Sequence, residues 1–468
     1  MISADVPAPL DVDPARRIFG LETEFGLHFD AQGGRPITPE EAAGHLFHSV
    51  VQWGRSSNVF LTNGSRLYID VGAHPEFATA EADTLEDLIA LDKAGERIVH
   101  DLVAEGEHRL AAAGTPGTIY LYKNNTDSSG NSYGCHENYL VRRRADFTAF
   151  GTALLPFLVS RQVVTGAGCI TRTPQGAHYS FSPRADHMWE GMSSATTRSR
   201  PMINTRDEPH ANAELYRRMH VIVGDSTMAE TTALLKVGAT DLLLRLMEAH
   251  VRLPNLALAR EMQAIREIAH DFTGAATVEL ADGRRVTGTD IQEIYLEAVR
   301  ANMGTEIEPS AQVEAILDVW GRGIEAVRTG NHALVETELD WAIKHRVLTR
   351  YQERLGCDLA DPRLARLEMA FHDVSPTRGL FNRLQADGQV RRIVSDADIA
   401  KAMTTAPQTT RAALRGRFVH AALESGKDYT VDWVHLKISG ASNRTVLLKD
   451  PFRNVDERVD VLLEALAT

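Results

Sequence analysis

Strand-like and helix-like segments are separated along this 468-residue chain rather than alternated. Segments in which polar and apolar residues alternate with a period of two concentrate before residue 225, and segments with helical spacing dominate after it. A doubly wound parallel sheet needs strands and helices in regular alternation, so this order argues against that architecture. We therefore predict an α+β fold built on a mainly antiparallel sheet.

The same patterns place individual elements. Strands are predicted at 17–27, 66–71, 118–122, 177–181 and 219–223. Helices are predicted at 226–252, 310–327, 333–355 and 409–424. Asp83 and Glu86 have the spacing of a capping box, which predicts a further helix beginning after Asp83.

Short polar segments between residues 385 and 408 suggest a domain boundary. We expect a large catalytic domain over 16–395 and a small C-terminal domain over 396–468. Residues 1–15 are rich in proline and aspartate, and we expect them to form a flexible N-terminal tail rather than a signal peptide, since a basic start and an apolar core are missing. The longest uncharged apolar-rich stretch, 147–160, is too short to span a bilayer, so no membrane association is predicted.

Composition narrows the classes of partner and compartment. The chain has 50 Lys and Arg residues against 63 Asp and Glu residues, so its formal net charge is −13. A net acidic chain argues against sequence-independent nucleic-acid binding. The three cysteines, Cys135, Cys169 and Cys357, are too far apart for a zinc cluster or a disulfide framework, which favours a reducing cytoplasm.

Two carboxylates lie in the first predicted strand. Glu22 and Glu24 are two residues apart and therefore share one face of that strand. Without compensation they would repel each other and resist desolvation, whereas a divalent cation such as Mg²⁺ would remove both problems. The alternative is an acidic strand face that is simply solvated.

The strand at 66–71 carries a second polar face. Arg66, Tyr68 and Asp70 share this face, and Leu67 and Ile69 lie on the other. A guanidinium, a phenol and a carboxylate in a row could bind phosphate, assist at a metal and act as a base. The alternative is a salt-bridged sheet surface in which Arg66 pairs with Asp70.

Further polar and aromatic residues have less specific patterns. Glu76 and Thr79 follow Pro75, which predicts an edge or a turn at that point. Trp433 could stack on a base, although core packing is the plainer interpretation. The chain contains neither GxxxxGK followed by Ser or Thr nor GxGxxG, so any use of ATP would lie outside the P-loop and Rossmann designs.

Two long polar segments are candidates for lining a site. Residues 123–138 combine small, hydroxyl and amide side chains and follow a predicted strand, although such residues also dominate ordinary turns. Within 193–210, Arg198, Arg200 and Arg206 lie among hydroxyl groups, a composition that suits phosphate or carboxylate recognition. The alternative for this second segment is a solvated basic loop.

Several of these segments together resemble the family of Pup ligases and depupylases, which is related to glutamine synthetase and the γ-glutamyl-cysteine ligases. The resemblance is carried by 17–26, 63–72, 124–139, 193–210, 220–225 and 430–435, and it extends over nearly the whole chain beyond the first fifteen residues. It implies a curved, mainly antiparallel sheet that cradles ATP and packs on helices, with a small C-terminal domain. It also implies a cytoplasmic enzyme.

The activity implied is ATP-dependent pupylation. Pup is a small disordered protein modifier, and the side-chain carboxylate of its C-terminal glutamate is joined to lysine ε-amines of target proteins through a γ-glutamyl phosphate. The conjugates are marked for proteasomal degradation. Because Pup is acidic, we expect a local basic groove on this net acidic chain, and we expect the protein to act as a monomer.

The resemblance also assigns roles residue by residue. The positions that match the family's magnesium ligands are Glu22, Tyr68 and Glu76. The positions that match its ATP contacts are Arg66, Thr79 and Trp433. Asp70 matches the catalytic aspartate, and the implied cofactor and co-substrate are Mg²⁺ and ATP.

Three alternatives to a Pup ligase stay open at this point. The depupylase carries a long extra loop soon after the first strand, and the segment 27–36 leaves no room for one, which favours the ligase. A small-molecule glutamate–amine ligase would share the metal and phosphate face. A proteasome-associated binding protein would use the carboxylates only to stabilise a sheet, at a high cost in desolvation.

Overall fold

The computed structural model describes residues 16–33, 35–127, 130–195, 200–439 and 445–467. The predicted tail at 1–15 and Arg198 of the arginine-containing segment lie outside the described residues. Within the described ranges, no helix is long and apolar enough to cross a membrane.

The described chain contains a mixture of strands and helices. The strands are β1 (Phe19–Glu24), β2 (Gly26–Ala31), β3 (Asn58–Phe60), β4 (Arg66–Asp70), β5 (His74–Ala78), β6 (Gly117–Tyr122), β7 (Cys135–Arg142), β8 (Cys169–Thr173), β9 (Gly176–Ser180), β10 (Glu190–Ser193), β11 (Pro201–Asn204), β12 (Tyr216–Val221), β13 (Thr277–Glu279), β14 (Arg285–Thr287), β15 (Tyr429–Val431), β16 (His435–Ile438) and β17 (Thr445–Leu447). The helices are α1 (Pro39–Leu46), α2 (His48–Gly54), α3 (Leu85–Ala112), α4 (Phe147–Ser160), α5 (Gln162–Thr165), α6 (Glu230–Glu248), α7 (Glu261–His270), α8 (Gly288–Ala301), α9 (Ala311–Thr329), α10 (Asp340–Leu355), α11 (Pro362–His372), α12 (Leu380–Ala386), α13 (Asp396–Thr404), α14 (Ala412–Ser425) and α15 (Glu457–Ala467).

Eight strands form the main sheet in the order β10-β11-β12-β7-β1-β5-β4-β3. Neighbours along this order are antiparallel except β10 and β11, which are parallel. The prediction of an α+β fold with a mainly antiparallel sheet is confirmed. One face of this sheet packs on helices, since Leu21 of β1 and Val221 of β12 share a buried cluster with Leu88 of α3 and Leu235 of α6. The opposite face is free to carry polar side chains.

The first predicted strand is divided in the structure. Instead of one strand over 17–27, β1 ends at Glu24 and β2 begins at Gly26, where the chain leaves the main sheet to pair with β6. The division falls at Phe25, which is buried and donates its backbone N–H to the carbonyl of Pro75. A Cβ at Gly26 would lie 2.3 Å from the hydroxyl oxygen of Tyr133, so glycine permits this close passage.

Two local predictions near this point differ from the structure. Of the edge or turn predicted at Pro75, the edge is wrong, because β5 lies between β1 and β4, whereas a turn at residues 71–73 does directly precede β5. Pro75 is tolerated because it is the second residue of β5, level with the end of β1. The cap of α3 is Thr84 rather than Asp83, since Thr84 Oγ1 accepts the backbone N–H of Asp87. Asp83 instead forms an ion pair with Arg16.

The predicted long helices exist with shifted ends. The 226–252 prediction corresponds to α6, and the 333–355 prediction loses its first seven residues, because α10 begins at Asp340. The Asp340 carboxylate accepts the backbone N–H groups of Met228 and Ala229, so its side chain satisfies backbone donors that precede α6. This tertiary contact ties the start of α10 to the start of α6.

A separate cluster lies near the C-terminus. The three-stranded sheet β15-β16-β17 packs with α14 and α15 around Leu414, Phe418 and Leu436. Helix α13 instead contributes Ile399 and Ala402 to the large cluster beneath the main sheet. These elements, α14, β15–β17 and α15, are called the C-terminal unit. It lies beside β3, where Trp433 contacts Phe60 edge to face with ring centroids 4.9 Å apart.

Candidate active site

The register of three neighbouring strands assembles the polar face. Glu24 of β1 is level with Glu76 of β5, which is level with Tyr68 of β4. Glu22 lies two residues before Glu24, and Asp70 lies two residues after Tyr68, so all five side chains share one face. The carboxylate pair of β1 and the polar face of β4, which alternation predicted separately, therefore meet through β5.

Three carboxylates of this face form one group. One oxygen from each of Glu24, Asp70 and Glu76 lies within 4.8 Å of the other two. Glu76 is 3 % exposed, and burial together with the charges of Glu22 and Glu24 raises the pKa of Glu76 well above its usual range. An arrangement of converging hard oxygen donors with excess negative charge suits a small divalent cation.

Tyr68 belongs to this group through a hydrogen bond. Its hydroxyl donates to Glu76 Oε1 across the β4–β5 ladder. Burial and the charges of Glu76 and Glu22 raise the pKa of Tyr68, so the phenol is neutral and acts as a donor. The Arg66 guanidinium lies 4.3 Å from the centre of the Tyr68 ring, which fixes the ring between a cation and a carboxylate.

Glu22 lies in a different environment. Its carboxylate accepts hydrogen bonds from Asn138 Nδ2 at 3.0 Å and Arg218 Nη1 at 3.4 Å, and it contacts His136 Nδ1 at 3.3 Å. His220 Nε2 is 3.7 Å away. Burial alone would raise the pKa of Glu22, but the hydrogen bond with His136 and the neighbouring positive groups outweigh it and lower the pKa.

The structure therefore groups the expected magnesium residues in two sets. Ligand atoms of Glu22, His136 and His220 converge within 4.8 Å, separately from those of the Glu24, Asp70 and Glu76 group. Burial lowers the pKa of His220 to about 3, so this imidazole is neutral at physiological pH. The assignment of Glu22, Tyr68 and Glu76 to one metal stays a prediction.

The loop between β6 and β7 closes one side of the carboxylate group. Gly134 donates its backbone N–H to Glu24 Oε1 at 2.9 Å. The Tyr133 hydroxyl donates to Asn124 Oδ1, and Asn125 Nδ2 donates to Ser226 Oγ at 3.0 Å, so the described part of the loop is held by its own amides. These contacts place the polar segment next to the carboxylates, as predicted from its composition, except for residues 128–129, which lie outside the described residues.

A cavity of about 730 Å³ lies between the sheet and the C-terminal unit. Arg66, Asn58 and Phe60 line it from the sheet, and Trp433 and Tyr429 line it from the C-terminal unit. Arg66 Nε donates to Asn58 Oδ1 at 2.8 Å, so its side chain turns toward the cavity rather than pairing with Asp70 along the strand. The volume of this cavity lies within the range of cavities that hold small molecules.

A second, smaller cavity of about 80 Å³ adjoins the first. Thr79 and Glu22 line it, and Trp433 and His210 line both cavities. Thr79 Oγ1 accepts the backbone N–H of Leu21 at 3.0 Å, which leaves its hydroxyl proton free to donate. The structure thus brings Arg66, Thr79 and Trp433 to adjoining spaces although they are far apart in sequence.

Sequence reasoning missed several residues of the site. Arg218 and His220 share a face of β12, and Asn138 and His136 share a face of β7. His136 and Asn138 lie in the selected polar segment 123–138, but none of the four was given a role of its own. Their alternation was visible, but only the strand order β12-β7-β1 brings them to Glu22. His210 ends the segment that was selected for its arginines, and it is the residue of that segment that lines both cavities.

This chain is similar in sequence to known proteins over nearly its whole length. A family model described as Pup-ligase protein matches residues 17–437. The Pup–protein ligase of Jonesia denitrificans is 59 % identical over 97 % of this chain and 99 % of its own length. That of Sanguibacter keddieii is 58 % identical over 96 % of this chain and 99 % of its own length.

Two solved structures share the fold. A crystal structure of the complex between Pup and its ligase PafA matches with a TM-score of 0.92 at 44 % identity, covering 97 % of this chain and 92 % of the other. A structure of the Pup ligase PafA with ADP matches with a TM-score of 0.84 at 45 % identity, covering 94 % and 97 %. Since sequence and fold agree over nearly the whole length, this chain belongs to the Pup ligase family.

Proposed function

We propose that this chain is an ATP-dependent Pup–protein ligase. It joins the side-chain carboxylate of the C-terminal glutamate of Pup to lysine ε-amines of target proteins. The observation that carries this proposal is the face shared by Glu24, Asp70 and Glu76, which adjoins cavities lined by Arg66 and Trp433. A carboxylate–amine ligase needs a nucleotide site and an acidic reaction site side by side.

The nucleotide occupies the space between the sheet and the C-terminal unit in this proposal. The Trp433 ring offers an apolar face for the base, and the Arg66 guanidinium binds phosphate. Thr79 adds a hydroxyl donor on the same side as Glu22. The ADP-bound relative of the same fold supports nucleotide binding, and the individual contacts are proposals for this chain.

The acidic face fits Mg²⁺ by the chemistry of its donors. Glu24, Asp70 and Glu76 offer hard oxygen atoms that converge, and the raised pKa of Glu76 indicates negative charge that a cation would relieve. Glu76, in the group with Glu24 and Asp70, and Glu22, in the neighbouring group with His136 and His220, are the proposed ligands, and Tyr68 orients Glu76 through its hydroxyl. When bound, Mg²⁺ neutralises charge on the phosphate oxygens of ATP.

The reaction has two barriers, and the first concerns the carboxylate of Pup. A carboxylate is a poor electrophile, so its oxygen first attacks the γ-phosphorus of ATP, giving a γ-glutamyl phosphate and ADP. Arg66 lines the first cavity and Arg218 lines the second, and in this proposal their guanidinium groups bind and orient the phosphate groups. The amine then attacks the acyl carbon, phosphate leaves with the bonding electrons, and an isopeptide bond remains.

The second barrier is the protonated amine, whose reference pKa is about 10.4. Asp70 removes a proton from the incoming lysine in this proposal. It is half-buried at the end of β4, next to Val71, which is 84 % exposed, whereas Glu76 is buried. A base at the edge of the face can meet a lysine that arrives on another protein.

The ligase is favoured over its paralogue by a short connection. Strand β2 ends at Ala31 and α1 begins at Pro39, so the chain has no space there for the long loop of the depupylase. A small-molecule glutamate–amine ligase is the remaining enzymatic alternative, and the extensive similarity to Pup–protein ligases disfavours it. We propose a monomeric, cytoplasmic protein with a functional link to the proteasome, and a basic groove that receives Pup.

The domain division is also a proposal. The expected boundary at 395/396 would place α13 in the small domain. Since Ile399 and Ala402 of α13 belong to the large cluster, we propose that the C-terminal unit begins near α14. Its own cluster starts at Leu414.

The test is a conjugation assay. The purified chain is incubated with ATP, Mg²⁺, Pup ending in glutamate and a lysine-bearing protein, and a conjugate is sought on a gel while ADP is measured. We expect both products together, and neither when Pup lacks its C-terminal glutamate. Cleavage of a preformed conjugate without ligation would identify a depupylase, and ADP release with free glutamate and a small amine would identify the small-molecule ligase.

A further inference from the structure

One buried arginine joins the segments that carry three of the proposed ATP contacts, Arg66, Thr79 and Trp433. Arg415 of α14 is 0 % exposed. Its Nε donates to the carbonyl of Gly64 at 3.0 Å, and its Nη1 donates to the carbonyl of Trp433 at 3.2 Å and to Glu81 Oε1 at 3.1 Å. Its Nη2 also donates to Glu81 Oε2.

These partners lie next to the nucleotide-facing positions. Gly64 is two residues before Arg66, and Glu81 is two residues after Thr79. Trp433 contributes both its carbonyl and its ring, because the Arg415 guanidinium carbon lies 4.9 Å from the ring centre. One planar guanidinium therefore fixes the distance between the aromatic of the C-terminal unit and the two segments of the main sheet.

The packing around this arginine is close. A Cβ at Gly416, the next residue of α14, would lie 2.3 Å from the carbonyl oxygen of Thr62, so the helix touches the β3–β4 turn directly. Arg411, one turn earlier, donates to the same Glu81 carboxylate at 2.7 Å and to the carbonyl of Leu448 at 2.7 Å. This junction between the C-terminal unit and the main sheet is thus held by a buried ion cluster of Glu81, Arg411 and Arg415 rather than by a flexible linker.

We propose that Arg415 is a positioning residue for the nucleotide, which acts by holding Trp433 at a set distance from Arg66 and Thr79. This inference rests on the proposed nucleotide site. A guanidinium is suited to the role because its five donors lie in a rigid plane and can bridge several acceptors at once. A lysine at this position would keep the charge that Glu81 needs but could not span the three segments.

The test is a double-mutant cycle on ADP binding, measured by calorimetry with Mg²⁺ present. Arg415→Lys is expected to weaken ADP binding at least tenfold, and Trp433→Ala to weaken it by a similar factor. Because Arg415 acts through Trp433, the double variant should bind within threefold of Trp433→Ala alone. Multiplicative losses in the double variant would overturn the proposal, since they would show two independent effects.

Steady-state kinetics distinguish a role of Arg415 in positioning the nucleotide site from general damage to the enzyme. For Arg415→Lys we expect a raised KM for ATP, with kcat at saturating ATP and the KM for Pup each within threefold of the unchanged chain. Arg417→Lys is the matched control, because Arg417 lies on the exposed side of the same helix and pairs with Asp460. Equal losses in kcat and in both KM values would overturn the positioning role, as would unchanged ADP affinity in folded Arg415→Lys.

The same measurements distinguish this inference from the proposed function. If the unchanged chain forms the Pup conjugate and binds ADP while Arg415→Lys binds ADP equally well, only the positioning role fails. If the unchanged chain fails to bind ADP, the proposed nucleotide site fails and the positioning role fails with it. Successful coupling in the cycle supports both.

Discussion

The Tyr68 hydroxyl donates a hydrogen bond to Glu76 Oε1 between neighbouring strands of the main sheet. This contact binds a neutral donor to a buried carboxylate whose pKa is raised by burial and by the charges of Glu22 and Glu24. Because burial and neighbouring negative charges disfavour its ionised form, this carboxylate depends on a hydrogen-bond donor or a cation for stabilisation. Tyr68 therefore acts as a fixed partner that keeps Glu76 directed toward the other acidic side chains.

Replacing Tyr68 by Phe should raise the Mg²⁺ requirement. A hydrogen bond to a charged group contributes about 1.5–3 kcal/mol, so we expect a shift of roughly tenfold or more in the Mg²⁺ concentration for half-maximal ADP formation. The measurement is ADP release at fixed ATP over a Mg²⁺ titration. Tyr351→Phe is the control, because Tyr351 is 37 % exposed and belongs to α10 rather than to a strand of the main sheet. An unchanged Mg²⁺ midpoint for Tyr68→Phe would remove Tyr68 from the proposed metal site.

Replacing Asp70 by Asn should separate chemistry from binding. Loss of a general base costs about 10²–10⁴ in rate, so we expect conjugation to fall at least 100-fold while ADP affinity stays within about threefold. The residual rate should increase between pH 7 and 9.5 as the lysine amine loses its proton unaided. Asp30→Asn on β2, an exposed aspartate, should conjugate normally. Conjugation retained by Asp70→Asn would contradict its role as a base.

Replacing Glu22 by Gln should have opposite effects with and without Mg²⁺. With Mg²⁺, loss of a ligand charge should weaken ADP binding about tenfold, which corresponds to about 1.4 kcal/mol. With EDTA, removal of a negative charge near the phosphates should leave ADP binding unchanged or slightly stronger. Calorimetry under both conditions measures this difference, and Glu214→Gln, an exposed residue before β12, is the control. Identical losses under both conditions would exclude Glu22 from the metal site.

The polar faces of single strands could be predicted because they are local. Alternation placed Arg66, Tyr68 and Asp70 together, and it paired Glu22 with Glu24. Alternation cannot reveal which strands are neighbours, so it could not show that Glu24 meets Glu76 while Glu22 meets the imidazoles of β7 and β12. Register is set by long-range pairing and turn geometry, which a single sequence records only indirectly.

The division of the first strand shows a second limit. The apolar pattern continues through Phe25, and nothing in it signals that the chain moves from the main sheet to a pair with β6. The change depends on Tyr133, which is more than a hundred residues away and occupies the space that a side chain at Gly26 would need. Similarly, Thr84 rather than Asp83 caps α3 because Asp83 is engaged by Arg16.

Trp433 could be assigned to ATP only through the family resemblance. Its sequence surroundings are equally consistent with core packing, and it is in fact half-buried against Phe60. Nothing in the sequence indicated that Arg415 is buried, because an arginine in a predicted helix is ordinarily an exposed residue. Its burial depends on Glu81, Gly64 and the C-terminal sheet meeting at one point, which only the folded chain defines.

We expect the contact among Glu81, Arg411 and Arg415 to lose stability in acid. Burial alone would raise the pKa of Glu81, but the charges and hydrogen bonds of Arg415 and Arg411 outweigh it and lower the pKa to about 2. A carboxylate whose pKa is lowered on folding stabilises the folded state at pH values above its unfolded pKa, and this contribution is lost as the pH falls toward 2. It amounts to about 3 kcal/mol at neutral pH for Glu81.

Glu81→Gln should therefore be most destabilised at neutral pH. At pH 7 we expect a loss of about 3–5 kcal/mol in the free energy of unfolding, because two buried guanidinium groups lose their counter-charge. The difference from the unchanged chain should shrink by about 2 kcal/mol between pH 7 and pH 3, as Glu81 of the unfolded chain becomes protonated. Urea unfolding at each pH measures this difference, and Glu464→Gln, exposed on α15, should follow the unchanged chain. A difference that stays constant over this range would show that Glu81 is not held as a charged partner of Arg411 and Arg415.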